Sequence, residues 1–179
     1  MEPVRQEREV LMKKILFAAS EAVPFIKTGG LADVVGLPAK NALIKSILMS
    51  GSSSPSTFAS NREWARQDEI CTPLLYGLSG DRAGYVGIRQ YVHEGITFYF
   101  IDNESYFNGA KPYGDWYWDL EKFCFFCRAA LSALPVIGFQ PDVVHCHDWQ
   151  TGLIPVLLKD KFREGEFFCN MKSVITIHN

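Results

Sequence analysis

The stretch Ile15-Leu16-Phe17-Ala18-Ala19-Ser20-Glu21-Ala22-Val23-Pro24-Phe25-Ile26-Lys27-Thr28-Gly29-Gly30-Leu31-Ala32-Asp33-Val34 decides the fold. Its first five residues are apolar without alternation, which reads as a short buried strand. Two adjacent glycines beside Lys27 then lead into a helix-like run over about 32–40, with Pro38 marking a helix start or kink. Strand, glycine loop and helix together can hold a phosphorylated ligand. Glycines let backbone N–H groups approach an anion, a helix N-terminus favours negative charge, and Lys27 adds a mobile cation. The spacing fits neither the Walker nor the G-x-G-x-x-G pattern, so by itself it does not separate an anion cradle from an ordinary glycine turn.

Further strands and helices alternate along the chain. Tyr85–His93 and Ile96–Ile101 are rich in β-formers and flank Glu94-Gly95, a hairpin signal. A helix is predicted over about 119–134, after which Pro135, Gly138 and Pro141 break the chain. Val143-Val144-His145-Cys146-His147 reads as a buried strand, and Thr151–Lys159 as a helix with Asp148 or Thr151 near its cap. Ser173-Val174-Ile175-Thr176-Ile177 forms a last strand. This order predicts an α/β domain with a largely parallel sheet, in which ligands bind outside the carboxyl ends of the strands. Three polar clusters fall at such ends: Lys27–Leu31, His147-Asp148-Trp149 and His178-Asn179.

The bulk composition excludes several classes. The 179 residues suit one domain or one half of a larger enzyme, and 47% are apolar, enough for a core. A net charge of −2 argues against a broad nucleic-acid surface. No apolar run is long enough to span a bilayer, and the charged residues 1–13 lack the apolar core of a secretory signal, so a cytoplasmic setting is expected. The five cysteines, an odd number, suggest no disulfide framework. Cys124 and Cys127 stand at a C-x-x-C spacing. They repeat at helical intervals with Leu120, Phe123, Leu131 and Leu134 and have no second ligand pair, so helix packing is the better reading.

The residues together resemble a known family. Lys14–Val34, Gly95–Glu104, Pro141–Leu153 and Thr176-Ile177-His178-Asn179 resemble, in order and spacing, blocks of bacterial glycogen synthases and plant starch synthases. The resemblance covers residues 14–40 and about 84–179, and is loose or poor between them. It implies the Rossmann-like N-terminal half of a GT-B glycosyltransferase that transfers glucose from ADP-glucose to the non-reducing end of an α-1,4-glucan with retention. It implies no cofactor and no metal, ADP-glucose being a substrate. It assigns His178 and Asp33 to the reacting sugar, and Lys27, Gly29, Gly30 and Asn179 to the donor and its phosphates. Asp148 and Trp149 become the acceptor or cleft wall, with Tyr106 a weaker acceptor-side candidate; Glu21 reads as a brace for the glycine loop. A bacterial cytoplasm is the implied location, with a plastid as the plant equivalent.

Two departures from the family qualify this expectation. The chain ends at Asn179, inside what would be the N-terminal domain, so the facing GT-B domain is missing and the isolated chain is expected to be inactive. A non-catalytic sugar-nucleotide or glucan-binding module, or half of a split enzyme with a separately encoded C-terminal half, is the alternative. Second, the atypical segment 41–70 contains Ser50-Gly51-Ser52-Ser53-Ser54-Pro55 and no alternation. It reads as loop or disorder in place of the family's second strand, with Ile44, Ile47 and Leu48 available to extend the preceding helix. A deleted, frameshifted or mis-spliced gene segment would explain it.

Overall fold

A computed structural model describes residues 13–36, 44–50, 69–78, 82–107 and 112–178. In chain order the elements are β1 (Ile15–Ala19), α1 (Gly30–Gly36), β2 (Ile44–Ser50), β3 (Glu69–Leu78), β4 (Arg82–His93) and β5 (Ile96–Asp102). They continue with α2 (Glu104–Phe107), α3 (Trp116–Val136), β6 (Val143–His147), α4 (Leu153–Leu157) and β7 (Lys172–Thr176). The strands form one sheet in the order β3-β4-β5-β2-β1-β6-β7. The run β5-β2-β1-β6-β7 is parallel, and β3 and β4 add antiparallel strands at one edge.

Strand β1 holds the centre. Ala18 and Ala19 are fully buried, and successive residues serve opposite faces. Leu16 and Ala18 join Val86, Ile88, Tyr99, Ile101, Val144 and Cys146 under α3 and α4. Phe17 and Ala19 join Phe98, Phe100, Phe25, Leu31 and Val35, the last two from α1. Helices therefore cover both faces, which explains the absence of alternation in β1. From β1 the chain builds outward through β2 on one side, then crosses from β5 by way of α3 to β6 on the other side of β1, so its order reverses at β1. In open α/β sheets that reversal opens a crevice at the carboxyl ends.

The predicted hairpin is present. Glu94 (φ 49°) and Gly95 (φ 81°) both take left-handed conformations, as the favoured two-residue turn requires. The expectation for 41–70 is corrected: Ile44–Ser50 is an interior strand, paired in parallel with β1 on one side and β5 on the other. It does not extend α1. An interior parallel strand needs no alternation, and two ladders hold it where its own pattern is weak. With that strand in place, the reading of a damaged gene segment loses its premise. The remainder of the serine-rich patch, 51–68, lies outside the described residues. Strand β3 was also unanticipated.

Helix α3 begins three residues earlier than expected. Asp115 is its N-cap and accepts the Trp118 N–H at 3.1 Å. Inside it, Lys122 and Asp119 form a buried ion pair at 2.7 Å, each 7% exposed. Lys122 also donates to the Pro112 carbonyl (2.6 Å), and Asp119 accepts the Gly114 N–H (2.8 Å). The pair thus staples 112–115 onto α3. Cys127 is buried and its Sγ donates to the Gln150 carbonyl, whereas Cys124 is exposed. Burial pushes the Cys127 thiol up to about 12, as for a packing residue. Removing one partner of the buried pair leaves the other charge unpaired. Lys122→Met should therefore lower the unfolding free energy by about 3–5 kcal/mol in urea denaturation, and a loss below about 1 kcal/mol would contradict a desolvated pair.

Candidate functional site

The carboxyl ends of β1, β6 and β7 lie side by side because these strands are parallel neighbours. The loop leaving β1 is organised by Glu21, whose residue is 2% exposed. One carboxylate oxygen accepts the Thr28 hydroxyl (2.7 Å) and the Tyr113 hydroxyl (2.6 Å). The other accepts the backbone N–H groups of Thr28 and Gly29, the latter at 3.3 Å. Tyr113 has one hydroxyl proton and gives it to a carboxylate that can only accept. Ser20, 2.7 Å away, must therefore donate to Tyr113. Burial would raise the Glu21 pKa, but the bonds from Tyr113, Thr28 and Gly29 outweigh it and hold the group below the usual carboxylate range. Burial, the Glu21 bond and the charges of Glu21 and Asp148 drive the Tyr113 hydroxyl well above the tyrosine range.

This brace shapes the glycine loop. A Cβ on Gly29 or Gly30 would meet nothing within 4 Å, so these glycines face open space. The Gly29 N–H is already engaged by Glu21, and Gly30 opens α1. Lys27 bonds both oxygens of Asp33 at 2.8 Å, with the two side chains 54% and 43% exposed. Such a surface pair is worth only about 0–1 kcal/mol, so Lys27 can exchange its partner for an incoming anion at small cost. The structure thus brings together the candidates Lys27, Gly29, Gly30 and Asp33.

The second cluster stands at the ends of β6 and β7. Asp148 has φ 62° and ψ −177°, a region that costs a non-glycine residue about 1–3 kcal/mol. Its N–H bonds the Thr176 carbonyl (2.9 Å), and its side chain accepts the His178 N–H (2.6 Å). Asp148 thereby ties the two strand ends together and sets where His178 stands. It does not cap the following turn with its side chain, and the Thr151 hydroxyl donates to the His147 and Asp148 carbonyls. The His178 and His147 rings lie nearly in one plane, 8° apart and edge to edge across a nitrogen–nitrogen contact, and His147 stacks in turn on His145. Phe17 of β1 touches both His145 and His147.

Trp149 is 46% exposed, its ring 5.2 Å edge-on from Phe123 and 5.7 Å from the still more exposed Trp116. Its ring therefore stands exposed next to Asp148 in the chain. Tyr106 is largely taken up by packing: its ring stacks on Phe125 (4.6 Å) and Trp118 (5.4 Å), and its hydroxyl donates to Glu121. Asn179 lies outside the described residues. Sequence reasoning did not single out Tyr113 or Trp116. Tyr113 sits 92 residues from Glu21, and no local pattern links them.

The fold and rim define an α/β domain with a polar rim at the carboxyl ends of its parallel strands, and comparison with known proteins gives the family. The profile of the starch synthase catalytic domain matches residues 14–179. The chain is 51% identical over 173 residues to a glycogen synthase of Lachnoclostridium phytofermentans, covering 94% of this chain and 35% of that protein. It is 47% identical over 169 residues to a glycogen synthase of Anoxybacillus flavithermus, covering 93% and 34%. Among solved structures, the catalytic domain of starch synthase IV from Arabidopsis thaliana, bound to ADP and acarbose, matches with a TM-score of 0.76 at 26% identity. That match covers 93% of this chain and 34% of the other. The chain belongs to the starch synthase catalytic-domain family and spans about a third of the length of these relatives.

One buried and one half-buried histidine give the rim a pH signature. Burial, reinforced by His145 and His178, pushes His147 down to about 3, and burial lowers His145 as well. Below the unfolded-state value near 6.5, the unfolded chain binds protons that the folded chain refuses. Stability is fully present above that value and is lost as pH falls through the window down to about 3. Urea denaturation should show a slope of up to about 1.4 kcal/mol per pH unit for each such histidine between about pH 6.5 and 5, above the carboxylate range. His147→Phe should flatten that slope, and an unchanged slope would assign it elsewhere.

Proposed function

We propose that this chain forms the donor-facing wall of a retaining glucosyltransferase that moves glucose from ADP-glucose to the non-reducing end of an α-1,4-glucan. The observation that carries this reading is the juxtaposition of the Lys27–Asp33 pair, the open Gly29-Gly30 loop and His178 on one rim, in a chain of the starch synthase family. When the glycosidic bond breaks, a nucleoside diphosphate departs and its charge needs stabilisation. Lys27 supplies a cation, and the loop allows close approach of backbone. Asp33, freed when Lys27 turns to phosphate, can accept hydrogen bonds from sugar hydroxyls. His178 and Asn179 contact the donor sugar, and Asp148 orients His178. Trp149, with Trp116 beside it, offers an aromatic face to the glucan. In this reading ADP-glucose is a substrate and no resident cofactor or metal takes part.

Within the described residues of the rim, the cation beside the loop is Lys27, already shared with Asp33. One exposed pair is a weak holder of a diphosphate, because electrostatic stabilisation comes from charges acting together. This favours a second reading in which the isolated chain binds sugar nucleotide or glucan without robust turnover. Among the described residues β7 is the last strand on its side of the sheet, with Val174 and Ile175 about half exposed. A separately encoded C-terminal half, in a split enzyme, would meet this chain along that edge and the rim.

Isothermal titration with ADP-glucose tests the donor wall. Lys27→Ala should weaken binding by about tenfold or more, the worth of a charge-assisted hydrogen bond, and unchanged affinity would remove Lys27 from the site. Transfer of radiolabelled glucose to a glycogen primer should be undetectable with the isolated chain. Robust, Lys27-dependent incorporation would refute its inactivity. For the acceptor wall, maltoheptaose should perturb tryptophan fluorescence in the native chain and much less in Trp149→Ala; an equal response in both would move the acceptor elsewhere.

A further inference from the structure

We infer that His147 is a positioning residue that dictates which ring nitrogen of His178 carries the proton. His147 ends β6, is 2% exposed, and is boxed in by Phe17, His145 and His178. Its Nδ1 lies 2.9 Å from Nε2 of His178, a hydrogen bond between two rings. Its other nitrogen, Nε2, is buried and has no hydrogen-bond partner among the described residues. His147 stays neutral at ordinary pH, because burial opposes its protonation, and it therefore carries one N–H.

The contact needs one proton between the two nitrogens, which leaves two arrangements. If His178 donated from Nε2, the single proton of His147 would sit on the buried, partnerless Nε2. An orphaned buried N–H is among the rarest and costliest defects in folded proteins, whereas a bare lone pair is better tolerated. His147 therefore carries its proton on Nδ1 and donates it, and His178 accepts at Nε2. An imidazole that accepts at Nε2 carries its proton on Nδ1, and in His178 that nitrogen makes no hydrogen bond among the described residues. The rim presents a histidine donor at Nδ1 in a preset tautomer, with the backbone on the same residue held by Asp148. Its use on a substrate oxygen rests on the donor-wall reading above; the tautomer does not.

The test is a long-range 1H–15N correlation spectrum of the 15N-histidine-labelled 179-residue chain at about pH 8, where exposed imidazoles are neutral. The two tautomers differ in which nitrogen has the protonated, pyrrole-type shift. His178 and His147 are both expected with protonated Nδ1 and bare Nε2, in single unaveraged patterns. A His178 signal with protonated Nε2, or an averaged mixture, overturns the proposal. The native chain alone decides this, whatever the folding of variants. His147→Phe should release His178 into the averaged pattern. His147→Asn, whose amide can place an N–H where Nδ1 stood, should restore protonated Nδ1, and a His178 pattern unchanged in the Phe variant would overturn the assignment. Because the spectrum is read without ligand, its outcome is independent of whether ADP-glucose binds.

Discussion

The rim depends on one buried carboxylate. Glu21 emerges from the central strand and gathers the Thr28 and Gly29 amides, the Thr28 hydroxyl and the Tyr113 hydroxyl. It fixes the Thr28-Gly29 end of the loop between β1 and α1, while the Ala22–Ile26 backbone bonds and the buried Phe25 hold the other end. The bond to Tyr113 also ties the loop to the helical face of the sheet, since residues 112–115 are held on α3 by the Asp119–Lys122 pair. A buried ion pair on one layer thus steadies a glycine loop leaving another. Charged groups sit at both ends of this chain of contacts, and each is satisfied by several hydrogen bonds, which is the condition for burying them.

The second constraint is the parallel sheet itself. Neighbouring parallel strands end on the same side, so residues 31 positions apart, His147 and His178, meet ring to ring. Strain is concentrated there as well: Asp148 takes an unfavourable backbone conformation and is held in it by the Thr176 carbonyl and the His178 N–H. Observed backbone outliers of this kind cluster at functional sites. The exposed face of Trp149 and the weak Lys27–Asp33 pair complete a surface that is preshaped in its backbone and loosely held at its charged tips. Such a surface can exchange internal contacts for a ligand at little cost.

Much of this was legible beforehand. The apolar run of β1, the Glu94-Gly95 turn and the polar residues closing β1, β6 and β7 are local signals, and the structure bears them out. Strand β2 was not legible, because an interior parallel strand shows no alternation and draws its order from ladders supplied by β1 and β5. The Tyr113–Glu21 bond was equally hidden, since nothing in a loop tyrosine announces a partner in a loop 92 residues away. Tyr106, an acceptor-side candidate from sequence, spends its ring and hydroxyl on α3 instead.

The sequence by itself determined the α/β class, the strand–glycine-loop–helix unit and the residue types at the rim, because these follow from local periodicity and turn chemistry. Tertiary structure decided which of those residues meet. Hydrogen bonding and ring stacking at separations of about 3–5 Å are set by strand order and register, and no short-range pattern encodes them. That is why Lys27 could be named from its neighbours in the chain, while the pairing of His147 with His178 and the hold of Tyr113 on Glu21 appear only once the sheet is assembled.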